Sequence, residues 1–148
     1  MKYNFDTSFG NLTQRISKSL GFSLASKLTN HGISITQEQW CVISMLYFQK
    51  QATQTEIGLF LGYDNVKVLR LIARLEKAGI IERNAGSIDR RFKIVNLSGL
   101  GKEYYIMIEP HAKMTLEEAT KGLSSEETDL CVKILKKISN NLEETNSV

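Results

Sequence analysis

The segment from Leu61 to Leu97, LGYDNVKVLRLIARLEKAGIIERNAGSIDRRFKIVNL, restricts the fold more than any other part of this chain. Asp64 offers a side-chain acceptor suited to cap a helix start. Val66, Leu69, Ile72 and Leu75 follow at helical spacing, and Val68 and Leu71 broaden the apolar face. Asn65, Lys67, Arg70, Arg74 and Lys77 fall mainly on the opposite face. Gly79 ends the helix, as glycine does just past the last periodic residue. Ile80-Ile81 and the run from Phe92 to Leu97 have β-type composition. Between them Asn84-Ala85-Gly86-Ser87 is turn chemistry, followed by the charged shoulder Asp89-Arg90-Arg91. Helix, strand, basic hairpin tip and strand in this order describe a helix-turn-helix with a wing.

The segments before and after read as helices that support this unit. Phe5, Phe9, Leu12, Ile16, Leu20, Leu24 and Leu28 recur at threes and fours, which predicts a long amphipathic helix over 8–29, ended by Asn30-His31-Gly32. Thr36-Gln37-Glu38-Gln39 is a capping box opening a helix with Trp40, Ile43, Leu46 and Tyr47 on its buried face. A second box, Thr53-Gln54-Thr55-Glu56, opens a short helix closed at Gly62, and two helices joined by a tight glycine turn have helix-turn-helix spacing. After the wing, Ser98 caps a further helix. Pro110 is expected to kink it or to begin a new segment reaching about Leu123, because proline lacks the donor and clashes with the preceding turn. Ser124-Ser125-Glu126-Glu127 caps a last helix with Leu130, Ile134, Ile138 and Leu142 as its stripe. The fold class is therefore mainly α with a small β-hairpin wing, and 148 residues form a single domain.

Charge is concentrated where the pattern is most specific. From Gly62 to Lys93 there are eight Lys/Arg and four Asp/Glu, a net of +4. The rest holds 11 basic and 12 acidic residues, so the formal +3 of the whole chain arises in that segment. A basic helix joined to a basic hairpin tip suits an anionic polymer better than a merely solvated face. Other classes fail on their signatures. Cys41 and Cys131 lie in no metal-ligand spacing and read as structural thiols, no metal or cofactor is implied, and no apolar run is long enough to span a membrane. The sequence around Gly99 and Gly101 misses the phosphate loop, with Asn96 where its first glycine belongs and Glu103 where Ser/Thr is required. No enzyme is expected, and a reduced, cytoplasmic setting fits.

In Thr53-Gln54-Thr55-Glu56-Ile57-Gly58 with Leu61-Gly62, in Leu75-Glu76-Lys77-Ala78-Gly79-Ile80-Ile81-Glu82-Arg83, and in Asp89-Arg90-Arg91, Val95, Leu97-Ser98 and Gly101, the chain resembles the MarR (multiple antibiotic resistance regulator) family over nearly its whole length. The resemblance implies a winged helix-turn-helix over about 36–97, flanked by dimerisation helices over about 5–30 and 98–145. It also implies a homodimer bound to a pseudo-palindromic duplex-DNA operator, acting mostly as a repressor, released by a small aromatic ligand or by cysteine oxidation. Where the family often has Ser/Thr near the start of its recognition helix, this chain has Asp64, Asn65 and Lys67.

Carried over position by position, Asn65, Lys67 and Arg70 are base or phosphate readers and Arg74 a phosphate contact or a partner near Glu76. Thr53, Gln54 and Thr55 stand where a helix N-terminus offers N–H groups to phosphate. Arg90 and Arg91 are the minor-groove candidates, with Asp89 stiffening the wing by pairing with Arg91; the plainer alternative is an ordinary hairpin ion pair. Trp40, Phe22, Tyr47, Tyr104 and Tyr105 suit an aromatic effector pocket or core packing equally, so the effector-binding residues stay open. The competing reading of the whole chain is a winged-helix module for protein contacts, without an operator of its own.

Overall fold

The computed structural model describes residues 4–85 and 93–146. Among the described residues, six helices and three strands follow in the order α1 (Phe9–Asn30), α2 (Gln37–Gln49), β1 (Gln51–Thr53), α3 (Gln54–Leu61), α4 (Asn65–Lys77), β2 (Ile81–Ala85), β3 (Lys93–Leu97), α5 (Gly99–Ala119) and α6 (Ser125–Asn146). Two compact units divide the chain, residues 1–115 and 116–148, and each is described by itself.

Local chemistry sets most of the helix starts. Thr36 accepts from the Gln39 N–H while the Gln39 side chain accepts from the Thr36 N–H, and the same reciprocal box joins Thr53 and Glu56. Asp64 caps α4 through its Oδ1, 2.9 Å from the Lys67 nitrogen. Ser124 and Glu127 make the third box, before α6. Two glycines end helices in the left-handed conformation that a side chain disfavours: Gly62 (φ 64°) after α3 and Gly79 (φ 72°) after α4.

In the first unit, β2 and β3 form the antiparallel base of the wing, and β3 also pairs with β1 to give the order β1-β3-β2. The strand β1 was not foreseen in the sequence; its three residues pair across the sheet, Ala52 opposite Val95. Val42, Ile43 and Leu46 of α2, Ile57 of α3, Val68, Leu71, Ile72 and Leu75 of α4, Ile80 just before β2, and Ile81, Val95 and Leu97 of the sheet make one core. A smaller cluster joins Leu24 and Leu28 of α1 to Ile108 of α5. Beside it, His31 and His111, far apart in sequence, approach to 4.3 Å between ring centroids.

Three sequence expectations need correction. Val66 and Leu69, assigned to the apolar face of α4, are 58% and 48% exposed; the buried stripe is Val68, Leu71, Ile72 and Leu75. Of the two outcomes expected at Pro110, the new segment is not formed, because α5 runs through it to Ala119. The carbonyl that loses its donor there belongs to Ile106, an exposed residue. Cys131 is exposed, while Cys41 is half-buried.

In the second unit, α6 carries Leu130, Ile134, Leu135 and Leu142, all substantially exposed. Among the described residues, no helix is long and apolar enough to cross a membrane.

Candidate nucleic-acid interface

The placement of α4 follows from two tight joints. At its start, the α3–α4 turn is closed by the Tyr63 N–H donating to the Gly58 carbonyl at 3.0 Å. A Cβ on Gly58 would lie 3.2 Å from Val68 Cγ2, so a small residue lets α3 and α4 approach closely. At its end, the Ile80 N–H donates to the Leu75 carbonyl and the Ser98 N–H to the Ile80 carbonyl, which ties α4 to the sheet and to the start of α5. Glu76 receives Arg83 of β2 in a salt bridge, including a 2.9 Å bond from Arg83 Nε. That hydrogen bond holds the Glu76 carboxyl below the usual carboxylate range.

With Val68, Leu71, Ile72 and Leu75 turned inward, the residues left outward include Asn65, Val66, Lys67, Leu69, Arg70 and Arg74. All four candidate readers on α4, namely Asn65, Lys67, Arg70 and Arg74, are therefore solvent-facing on one helix. Lys67 Nζ lies 5.4 Å from the centroid of the Tyr63 ring, a cation–π arrangement that fixes one edge of the surface. Between α4 and the start of α2 lies an open cavity of about 250 Å³ whose walls include Lys67, Arg70, Arg74, Tyr63, Thr36 and Glu38. Tyr63 donates its hydroxyl to Glu38 Oε1 at 3.2 Å. Glu38 is held below the usual range chiefly by a backbone hydrogen bond, with bonds from Thr36 and Tyr63 adding to it; burial and Glu38's charge push the Tyr63 phenol up. Arg74, expected as a phosphate contact or a partner near Glu76, lines this cavity, and Glu76 is taken by Arg83.

The α3 residues divide by role. Thr53 is committed to the cap: its Oγ1 accepts from the Glu56 N–H at 3.2 Å and donates to Glu56 Oε2 at 2.9 Å, while its own N–H donates to that carboxylate. Those bonds lower the Glu56 pKa and put a negative charge at the start of α3, where an incoming phosphate would meet it. Gln54 is half-buried and Thr55 exposed at the same helix end. Asp89, Arg90 and Arg91 lie outside the described residues. The base of the wing is described, and there Asn84 Nδ2 donates to Asn96 Oδ1 at 2.9 Å.

The aromatic residues considered for an effector separate as well. Tyr47 and Tyr105 stack at 3.6 Å between centroids, and Trp40 stacks on Tyr105 at 5.5 Å. Tyr104 packs against both apolar clusters, whereas Phe22 is 80% exposed. No cluster of three or more His, Cys, Asp or Glu among the described residues is arranged to hold a metal ion.

What sequence reasoning missed on this surface is its apolar part. Val66 and Leu69 look like core residues by spacing, and only the choice of stripe made by packing reveals them as surface.

Residues 35–93 match the model of the MarR family. The chain is similar to a MarR/EmrR family transcriptional regulator from Acinetobacter sp. ADP1, at 25% identity and a TM-score of 0.82, over 96% of this chain and 99% of that one. It is similar in fold to a mutant MarR from E. coli complexed with operator DNA (24% identity, TM-score 0.75, 87% and 91% covered). A third likeness is to Bordetella bronchiseptica BpsR, described for the regulation of its DNA binding by 6-hydroxynicotinic acid (22% identity, TM-score 0.79, 94% and 98% covered).

Proposed function

We propose that this chain, which belongs to the MarR family, is a sequence-specific regulator that binds duplex DNA through α4. The observation that carries the reading is the outward face of α4, where Asn65, Lys67, Arg70 and Arg74 stand exposed above a buried stripe in helix-turn-helix geometry. A recognition helix enters the major groove in this way, its N-terminal residues toward base edges and its longer cations toward phosphate. Asn65 and Arg70 are then base readers, Lys67 and Arg74 phosphate contacts, and Gln54 and Thr55 backbone-side contacts from α3. Thr53 acts as the cap that orients them, and Arg90 and Arg91 are the minor-groove pair. That one mutant MarR is known with operator DNA supports this use of the fold.

The working form is a homodimer in which α1, α5 and α6 supply the interface. Phe5, Phe9, Leu12 and Ile16 at the start of the chain, and Leu130, Ile134, Leu135 and Leu142 of α6, are exposed apolar residues in numbers that a second copy would cover. The dimer acts as a repressor, and a small aromatic molecule releases it, as regulation of BpsR by 6-hydroxynicotinic acid suggests by analogy. An oxidant acting at Cys41 is disfavoured, since burial and then Glu38 push that thiol up.

Selection from a randomised duplex pool tests the reading. Enrichment of a pseudo-palindrome with half-sites about one helical turn, roughly 10 base pairs, apart is expected. A pool that shows no enrichment at low salt would refute it.

A further inference from the structure

Val66 occupies an unusual position on α4. At roughly 100° per residue, it lies about 170° around the helix from the centre of the buried stripe formed by Val68, Leu71, Ile72 and Leu75. It is 58% exposed, and Leu69, one turn on, is 48% exposed. Stability does not account for a valine there. It contributes nothing to the core, and a β-branched residue is a poorer helix former than Ala, Lys or Glu at a solvent-facing site. Its neighbours explain it better. Val66 is the second residue of α4, between Asn65 and Lys67, and Arg70 follows it one turn later. An apolar patch inside a polar and cationic surface matches the major-groove edge of a thymine, whose C5-methyl is the apolar group that a base pair presents there.

We propose that Val66, with Leu69 beside it, selects the operator by packing on thymine C5-methyl groups. This inference rests on the DNA-binding reading above and adds to it the base that the start of α4 recognises. Asn65 and Arg70 supply polar contacts on either side of Val66. The methyl contact supplies discrimination that neither amide nor guanidinium provides, because cytosine presents an N4 amino group and no methyl at the same edge.

The test uses the full-length chain and the duplex it enriches from a random pool, with copies in which each thymine is replaced in turn by deoxyuridine, which lacks only the methyl. Fluorescence anisotropy should find one or two thymines per half-site whose demethylation weakens wild-type binding by about fourfold, the factor given by about 0.8 kcal/mol per buried methyl(ene) group. Val66→Ala, which should melt at or slightly above the wild type because the side chain is exposed and alanine is the better helix former, should bind the thymine duplex more weakly and lose most of its sensitivity to demethylation. Leu69→Ala checks the second position in the same way. Wild-type indifference to every thymine overturns the proposal, and so does an equal demethylation penalty in wild type and both variants. A pool without enrichment overturns the DNA-binding reading itself, a separate and distinguishable failure.

Discussion

Gly101→Ala is the substitution whose cost is best defined by the geometry. A Cβ on Gly101 would lie 2.1 Å from the Ile80 carbonyl oxygen and 3.0 Å from Leu97 Cδ2, whereas real Cβ atoms do not come within 3.0 Å of such neighbours. The nearer obstacle is backbone, so α5 and the start of β2 must separate by about 1 Å, an overpacking cost of roughly 1–3 kcal/mol. The same carbonyl accepts from the Ser98 N–H at 3.1 Å, while Ser98 Oγ donates chiefly to the Gly79 carbonyl at 2.6 Å and accepts from the Gly101 N–H at 3.0 Å. Loosening one or two of these bonds adds about 1 kcal/mol each. Better helix propensity returns up to about 1 kcal/mol. The net is a destabilisation of about 1–4 kcal/mol, read as a lower urea midpoint at unchanged slope. Gly99→Ala is the internal control, since its Cβ would meet nothing within 4 Å. It should be neutral or slightly stabilising. Equal midpoints for the two variants would refute the account of how α5 is joined to the sheet.

Other perturbations read other joints. In Arg83→Met, Glu76 loses the bond that holds its pKa down, so the wild type should exceed the variant in stability at pH 7. That gap should close as pH falls below the ordinary carboxylate value of about 4.3 and through the lowered folded value. A gap unchanged at pH 3 would contradict this in urea titrations. Thr53→Ala removes both side-chain bonds of the α3 capping box and should cost about 1 kcal/mol; an unmoved unfolding midpoint would show that the cap contributes nothing. Cys41, half-buried and with its pKa raised by burial first and then by Glu38, should be alkylated more slowly in the native chain than in guanidinium. Peptide mapping after a brief pulse decides it, and equal rates would overturn that placement of α2.

Much of this fold was legible because its signals are short-range. The three capping boxes, Asp64 at the start of α4, and Gly62 and Gly79 at helix ends involve residues a few positions apart, so the chain declares them locally. What failed depends on distant partners. Strand β1 exists only because Gln51, Ala52 and Thr53 find β3, far along the chain. Val66, Val68, Leu69, Leu71 and Ile72 are so densely apolar that several stripes satisfy helical spacing, and packing against α2, α3 and β2 selects one. The same packing exposed Asn65, Lys67, Arg70 and Arg74 together, as their placement opposite the apolar stripe suggested. Gly101 entered the sequence reading as part of a resemblance, and its reason, the closeness of Ile80, is visible only in three dimensions.

The central claim is that the outward face of α4 is the DNA-binding surface. Its most direct test is anisotropy with the selected duplex and a scrambled one across a salt series, comparing the wild type with Lys67→Ala/Arg70→Ala/Arg74→Ala. The wild type should prefer the selected duplex, with log affinity falling against log salt by about 0.9 per neutralised phosphate. The triple variant, folded because all three side chains are exposed, should lose that preference and show a shallower slope. If it binds the selected duplex with wild-type affinity and slope, the contact surface lies elsewhere and the account is wrong.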